Sequence, residues 1–433
     1  MSSDTVSPYD LLIAAVQTNN AERVRQVLVD HPGVAAHLDR GTDALGFGAT
    51  PLIGAVRRGN RAMVDVLLDA GANPDQGSDW WAGRFTPLDS TDDRSMADHL
   101  VARGATVDVH AAARHGMHAT LAELLHANPA LASARGGDGQ TPLHVACDVA
   151  TAQLLLSHGT DVNARDVDHE STAAQYLVRA RPDVARYLVA YGSDTDILMA
   201  SALGDLALVK RLVAEDPGRI ETTVSSEFFP MKNPRAGGTI YIWTLGSDKT
   251  PHLIAREFGH EDVVAWLMAN SPDAVKMVQA CVLGDEALFK QLLASRPGMV
   301  DSLSAAEQRY VVDAAANNNA GAVRLMLEAG WPVGVPDAHG ATPLHWAGWH
   351  GNAEMVREIL RFNPPLDVRE NSYDAAPVGW AIHGSRHNSH AATQDHVGAV
   401  TAMADAGAKL PALDADAQAS AAVIAVVRQR RQA

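Results

Sequence analysis

The chain has 433 residues, and its 35 Lys and Arg against 51 Asp and Glu give it a net charge of −16. This acidic balance argues against a surface that follows nucleic-acid phosphates, which requires clustered basic side chains. Its two cysteines, Cys147 and Cys281, cannot build a disulfide framework. The sequence has no apolar run of about 18 residues and begins without a secretory pattern. We therefore expect a soluble, cytoplasmic protein that binds neither nucleic acid nor membrane.

One short motif recurs along the chain. Helix-like stretches begin at Thr50-Pro51-Leu52, Thr86-Pro87-Leu88, Thr141-Pro142-Leu143-His144, Thr250-Pro251 and Thr342-Pro343-Leu344-His345. Thr is a favourable helix N-cap, Pro in the first turn costs no hydrogen bond, and the following apolar residue starts a buried stripe. The first two copies lie 36 residues apart. With this period, each pair of helices must stack on its neighbours to bury its apolar face.

These copies resemble ankyrin repeats. The clearest copy spans residues 337–360, and a second runs from Gly139 to Ala146. The resemblance covers nearly the whole chain and implies an all-α ankyrin-repeat solenoid, of a bacterial type, with about twelve helix-turn-helix units. It also implies that the motif imidazoles, His144 and His345, hydrogen-bond the backbone of a neighbouring finger loop.

Two stretches interrupt the predicted repeats. Residues 221–249 separate N-terminal repeats at 1–220 from C-terminal repeats at 250–433. This stretch contains a Gly237-Gly238 pair followed by alternating β-branched and aromatic residues, a pattern typical of a β-hairpin. The second interruption is a His-rich loop at 384–396 within the C-terminal repeats. Loops of this length in a repeat protein are often functional.

A candidate binding strip lies on the C-terminal repeats. The resemblance implies that the two residues before each helix-ending glycine face the concave side of the array. Aromatic side chains there are typical anchors for protein partners. Trp346 and Trp380 occupy a slot that a buried aliphatic residue usually fills, so we expect them in the core. The predicted binding residues, including two from the insertion, are Tyr241, Trp243, Glu257, Phe258, Asn317, Asn318, Trp349 and His350.

Several titratable residues are catalytic candidates. Asp313 and His345 are predicted to occupy the same position in two successive repeats. A carboxylate beside an imidazole would orient the imidazole and favour its charged form. The alternative for this pair is a buried capping network. His350 and His383 are the remaining candidates. The histidines show no His-Glu-x-x-His spacing and no cysteine pair joins them, so we expect no metal site and no cofactor.

Two functions of different classes remain open. The resemblance implies a scaffold that binds a protein or peptide on its concave face, and the acidic composition favours a partner with basic patches. The alternative is an enzyme or a small-molecule-binding protein. In that case the 221–249 insertion would lean on the C-terminal concave face and close a pocket. The pocket would hold Tyr241, Trp243, Phe258, Trp349 and His350.

Overall fold

The computed structural model describes residues 7–296, 298–388, 390, 394–413 and 418–432. They form two compact units. The first unit consists of residues 7–203 together with Thr223–Ser247. The second unit consists of Gly204–Thr222 together with the described residues from Asp248 onward. Residues 223–247, which make up most of the segment predicted as an insertion, thus belong to the first unit.

The first unit is built from short helices joined by turns. Its 3-10 turns are Pro32–His37, Asp43–Leu45, Leu88–Ser90, Pro129–Ser133, Gly137–Gly139 and Pro142–Val145. Its α-helices are Pro8–Gln17, Ala21–Asp30, Pro51–Arg57, Arg61–Asp69, Arg94–Ala102, Val109–Arg114, His118–Ala127, Val149–Ser157, Ala173–Leu177, Pro182–Tyr191, Ile197–Leu203 and Tyr241–Thr244.

The second unit repeats this construction. Its 3-10 turns are Pro217–Glu221 and Val300–Ser302. Its α-helices are Leu206–Glu215, Pro251–Glu257, Glu261–Asn270, Asp273–Val282, Glu286–Ser295, Ala305–Gln308, Tyr310–Ala316, Ala320–Glu328, Pro343–Trp349, Ala353–Leu360, Pro377–His387, His396–Asp405 and Ala421–Gln432.

The predicted all-α class is confirmed. Extended pairing among the described residues is limited to two isolated antiparallel bridges, Thr42 with Ala49 and Arg165 with Thr172. Each bridge closes a loop that precedes a first helix or its equivalent. The loops therefore act as short fingers between helix pairs.

The first helices begin as the motif predicts. Thr50 Oγ1 accepts a hydrogen bond from the Ile53 amide at 3.3 Å. At Thr342 the cap is reciprocal, because its amide donates to Nδ1 of His345 at 2.9 Å. These bonds satisfy backbone donors that a helix start leaves unpaired, and the proline that follows has no donor to satisfy.

The turn between paired helices requires a left-handed residue. Gly351 has φ +62°, and Asn318 takes the equivalent place one repeat earlier with φ +56°. A Cβ at Gly351 would also overlap the ring of His396. Backbone conformation and packing therefore both select glycine at this position.

The apolar core of each unit lies between the stacked helices. Leu52, Met63 and Leu67 are fully buried in the first unit. In the second unit, Leu344 and Val356 belong to a core that continues to the C-terminal helix. Most of these contacts are made by aliphatic and alanine side chains, so stability is spread over many small contacts between neighbouring repeats.

Two predicted first helices are shorter than the motif indicated. After Thr86 the chain forms only the 3-10 turn Leu88–Ser90, and after Thr141 it forms only Pro142–Val145. The carboxylate of Asp89 accepts hydrogen bonds from both the amide and the hydroxyl of Thr86. Such local side-chain bonds compete with a continuing helix.

The structure corrects the predicted β-hairpin at residues 221–249. In the described residues 223–247, the run that alternates in sequence forms one helical turn, Tyr241–Thr244, and no strand. The Gly237 amide donates to the Asp168 carbonyl at 2.9 Å, and the Ile240 amide donates to Ser171 Oγ at 3.2 Å. Loops of the first unit therefore pair the backbone groups of this segment, where the prediction required a partner strand.

The His-rich loop is shorter than the predicted 384–396. The helix Pro377–His387 includes its first four residues. The next helix begins at His396, whose Nε2 donates to the Trp349 carbonyl at 3.1 Å. Residues 389 and 391–393 lie outside the described part of the chain.

Candidate binding site

Two successive repeats of the second unit place aromatic rings at equivalent positions. Their first helices are Pro343–Trp349 and Pro377–His387. Counted from the proline, Trp346 corresponds to Trp380, and Trp349 corresponds to His383. Because stacked repeats bring equivalent positions side by side, the four rings meet on one face.

These rings line a cavity of about 520 Å³, which we call the aromatic cavity. Trp346 and Trp380 meet edge to face with their ring centroids 5.0 Å apart, and Trp349 lies 6.2 Å from Trp380. A cavity of this size lies within the range of ligand pockets. Its lining consists of Trp346, Trp349, Tyr373, Ala375, Gly379, Trp380 and His383.

Neighbouring side chains hold the indoles in place. The Trp346 indole N–H donates to Oδ2 of Asp337 at 3.0 Å. The ring of His345 stands edge-on to Trp380 with centroids 5.4 Å apart, and His383 stacks on Trp349 at 6.0 Å. The cavity is therefore preformed, which reduces the entropy cost of filling it.

Tyr373 stands at the rim of the aromatic cavity. Its side chain is 81% exposed, yet its backbone is held. The buried carboxylate of Glu370 accepts hydrogen bonds from the amides of Ser372 at 2.6 Å and Tyr373 at 2.8 Å. An exposed aromatic ring on a fixed loop is suited to covering a bound side chain.

The electrostatic setting of the cavity favours positive charge. Asp337 lies directly behind the Trp346 indole N–H. Burial lowers the pKa of His383, and the neighbouring His387 lowers it further, so His383 is neutral at neutral pH. The faces of indole and phenol rings carry negative partial charge. The site thus combines three indole rings, a phenol ring, a neutral imidazole and a nearby carboxylate.

The structure does not bring Asp313 and His345 together as a catalytic pair. The helix starts align Asp313 with Trp346, one residue away from the predicted register. Nδ1 of His345 accepts from Thr342, and its Nε2 therefore carries the proton and donates to the Ala375 carbonyl at 3.1 Å. Both ring nitrogens are engaged, so His345 belongs to the finger network that the resemblance implied. His144 likewise reaches the Ser171 carbonyl at 3.1 Å.

Asp313 has an unusual environment. Burial raises its pKa to about 7, with a further contribution from Asp248, while Arg309 acts in the opposite direction. It lines a small cavity with Thr250, Gln279 and Asn317. A raised pKa by itself does not make a catalytic group, and within the part of the chain that the structure describes, no nucleophile or base forms a hydrogen bond with this carboxyl.

Two of the predicted binding residues have structural partners between repeats. His350 is partly buried, and its Nε2 donates to the Ala316 carbonyl at 2.8 Å. Asn318 forms the left-handed turn and accepts a hydrogen bond from Asn352 at 2.9 Å. Asn317, which donates to the Asp313 carbonyl at 3.0 Å, is the residue that precedes the turn. Of the predicted binding residues, Trp349 lines the aromatic cavity, and the catalytic candidate His383 lines it as well.

The other predicted binding residues are dispersed. Glu257 pairs with Lys249 at 2.6 Å, and Phe258 is the partly buried C-cap of the helix Pro251–Glu257. Tyr241 is fully buried in the first unit, where its hydroxyl donates to Asp196 at 2.9 Å. The structure therefore corrects its assignment to a binding surface. Trp243 is 70% exposed on the same unit.

Sequence reasoning missed Trp346, Trp380 and Tyr373 as members of the site. The two tryptophans were expected in the core, but both are only partly buried and line the aromatic cavity. The signal was present in the sequence: tryptophan recurs at the same motif position in two successive repeats. Large aromatic residues in register cannot all fit a slot sized for valine or leucine, so part of each ring faces solvent.

The stacked helix pairs, capped first helices and finger loops define a helical repeat protein of the protein-interaction class. Family models of ankyrin repeats match residues 47–79, 109–199 and 276–372, about half of the chain. The chain belongs to the ankyrin-repeat proteins.

The sequence is also similar to part of another protein. The chain is 32% identical over 94 residues to palmitoyltransferase Hip14 of Drosophila melanogaster, which is 22% of this chain but only 13% of that protein. The similarity is therefore confined to a small part of the relative. None of the described helices combines the length and the apolarity that crossing a membrane requires.

Proposed function

We propose that this ankyrin-repeat protein binds a protein or peptide partner, and that the aromatic cavity receives a lysine or arginine side chain of that partner. The observation that carries the proposal is the cavity of about 520 Å³ with three indole rings around it. Ankyrin stacking requires none of these rings to face solvent, so their exposure suggests a binding role.

The chemistry of the lining supports a basic side chain. A cation that enters the cavity would lie within reach of the faces of Trp346, Trp349 and Trp380, and cation–π attraction acts within about 6 Å of a ring centroid. The apolar stem of lysine or arginine would contact the same rings. The carboxylate of Asp337 adds attraction behind one indole, and the net charge of −16 would speed encounter with a basic partner.

The enzymatic alternative receives no comparable support. It required the 221–249 segment to supply Tyr241 to a closed pocket, and Tyr241 is buried in the first unit. The catalytic candidates His345 and His350 fill structural roles. Among the described residues, Asp313 and His383 form no hydrogen bond to a group that would make them reactive. Binding is therefore the function that we propose.

A peptide competition would test this proposal. Pools of short peptides share randomised flanks and differ only in the central residue, which is lysine, arginine, leucine or glutamate. We expect the lysine and arginine pools to be retained at least tenfold better than the glutamate pool, because the cavity attracts cations. A hit from the retained pools then serves as the probe for isothermal titration calorimetry.

Matched variants locate the binding. Trp380→Ala should cost the best peptide roughly 2 kcal/mol, as expected for an aromatic anchor. Trp266→Ala, which removes a partly buried tryptophan outside the cavity, is the control and should leave affinity unchanged. Retention of all four pools to the same degree, or equal losses in both variants, would contradict the proposal. Preference for leucine would assign the cavity to apolar side chains instead.

A further inference from the structure

A second cluster of functional groups lies in the first unit, independent of the aromatic cavity. Asp138 sits in the finger turn Gly137–Gly139, where its φ of +54° is unusual for a non-glycine residue. Asp168 and His169 occupy the loop of the following repeat. The Gly237–Gly238 backbone packs against both of these residues. Three separate parts of the chain thus converge at one point.

The side chains of this cluster lie at metal-ligand spacing. One carboxylate oxygen each from Asp138 and Asp168 and one ring nitrogen of His169 all lie within 4.8 Å of one another. Nε2 of His169 is 3.6 Å from Oδ2 of Asp168. Ligand atoms that share a divalent ion with bonds of about 2.1 Å are separated by roughly 3 to 4 Å, so a small adjustment would bring them together around one ion.

Each ligand is oriented by a hydrogen bond that leaves a second atom for the ion. Nδ1 of His169 donates to the Gly238 carbonyl at 2.7 Å, which puts the lone pair on Nε2. The Trp80 indole N–H donates to Oδ1 of Asp138 at 2.9 Å, and the Gly237 amide donates to Oδ1 of Asp168 at 3.2 Å. Among the described residues, no hydrogen bond reaches the other carboxylate oxygens or Nε2. This outer layer of donors and acceptors is the usual support of protein metal sites.

Without a cation, burying the two carboxylates of this cluster would be unfavourable in free energy. His169 is 8% exposed and Asp168 is 4% exposed. Two carboxylates in a poorly solvated site repel one another, and a divalent cation would neutralise them.

We propose that Asp138, Asp168 and His169 form a binding site for a divalent transition-metal cation such as Zn²⁺. One imidazole with two carboxylates matches the mixed nitrogen and oxygen donors that Zn²⁺ accepts, whereas Ca²⁺ and Mg²⁺ favour oxygen donors alone. The bound ion would cross-link two successive finger loops. The Gly237 amide, which donates to Asp168, and the Gly238 carbonyl, which accepts from His169, would join residues 223–247 to these loops. Its role is to fix this segment on the first unit.

The test uses the full chain, stripped with a chelator and then titrated with ZnCl₂, MgCl₂ or CaCl₂. Asp168→Asn keeps an oxygen for the Gly237 amide but loses the charge, and His169→Asn keeps a donor for the Gly238 carbonyl but loses Nε2. We expect each variant to weaken Zn²⁺ binding at this site at least tenfold. The controls Asp183→Asn and His126→Gln, both on exposed helix positions, should bind Zn²⁺ like the unaltered chain.

A second measurement covers the case in which a variant does not fold. Amide hydrogen exchange of the unaltered chain should slow at residues 137–139, 166–170 and 237–240 when Zn²⁺ is added, and should not slow with Mg²⁺ at the same concentration. Zn²⁺ protection absent from these residues, or located only around His383 and His387, would overturn the proposal. Equal Zn²⁺ affinity of the folded variants and the unaltered chain would overturn it as well.

Discussion

Replacement of Asp313 by asparagine should stabilise the second unit, and the gain should depend on pH. Burial and the neighbouring Asp248 raise the pKa of Asp313 to about 7. An unfolded aspartate titrates near its usual value of about 3.9. The folded state therefore binds the proton more tightly, and the stability associated with the protonated carboxyl is lost as the pH rises from about 4 through about 7. Asparagine carries no charge at either end of this range.

The pKa difference sets the size of the effect. A pKa difference of about 3 between the folded and unfolded states corresponds to a free energy of unfolding of about 4 kcal/mol, which is an upper limit. Asp313 is partly exposed, and solvent screening reduces the value, so we expect on the order of 2 kcal/mol at pH 8. The difference between variant and unaltered chain should shrink towards zero near pH 4, where both side chains are neutral. Because the two proteins share every other titratable group, the contributions of those groups to stability cancel in the difference.

Hydrogen exchange of the helix Tyr310–Ala316 measures this difference locally. At each pH, Asp313→Asn and the unaltered chain are compared at amides other than those of residues 313 and 314, where the substitution leaves the intrinsic exchange rate unchanged. The ratio of protection factors then gives the free-energy difference. Asp301→Asn, at an exposed position of the same unit, should show no such pH trend. A difference that is equally large at pH 4.5 and pH 8, or a variant that is less protected at pH 8, would refute the electrostatic reasoning.

Three further outcomes follow from named contacts. Tyr241→Phe removes the hydrogen bond to Asp196 and should destabilise the first unit by about 1 to 2 kcal/mol in urea unfolding, whereas Trp243→Ser, at an exposed position, should change stability little. Gly351→Ala forces a Cβ into the ring of His396 at positive φ and should cost roughly 2 kcal/mol or more in the same assay; Gly284→Ala, at a similar φ of +75° in the same unit, meets no overlap and should cost less. Because the pKa of His383 is lowered by burial and by His387, its protonation should weaken binding of a lysine peptide only below the ordinary range of histidine, and His383→Asn should remove that component of the pH dependence in calorimetric titrations.

The repeat fold was predictable because its signals are local. Each Thr-Pro start supplies its own cap, and a left-handed residue can mark the end of a first helix, as at Gly351. The exceptions arise where tertiary contacts outweigh local preference. The run at Thr239–Leu245 has the alternation of a strand, but hydrogen bonds to Ser171 and Gln175 hold it as a helical turn. No sequence pattern announces acceptors that lie so far away along the chain.

The candidate sites were predictable only in part. Trp349 was found because the family register places it on the concave face, but the partial exposure of Trp380 depends on how closely neighbouring helices pack. The cluster of Asp138, Asp168 and His169 escaped detection because its residues come from two finger loops and follow no metal-binding spacing. The Asp313 register slipped by one residue, because its repeat lacks the Thr-Pro start that fixes the count elsewhere.

The most direct test of the central claim is the response of the eight tryptophan indole N–H signals to a lysine- or arginine-containing peptide, followed by nuclear magnetic resonance. We predict that the signals of Trp346, Trp349 and Trp380 shift together as the peptide saturates the site, because a cation over an indole face changes its local field. The tryptophans outside the aromatic cavity should keep their positions: Trp80, Trp81, Trp243, Trp266 and Trp331. Saturable binding that leaves the three cavity signals unmoved would contradict the account, because the partner would then bind on a different surface.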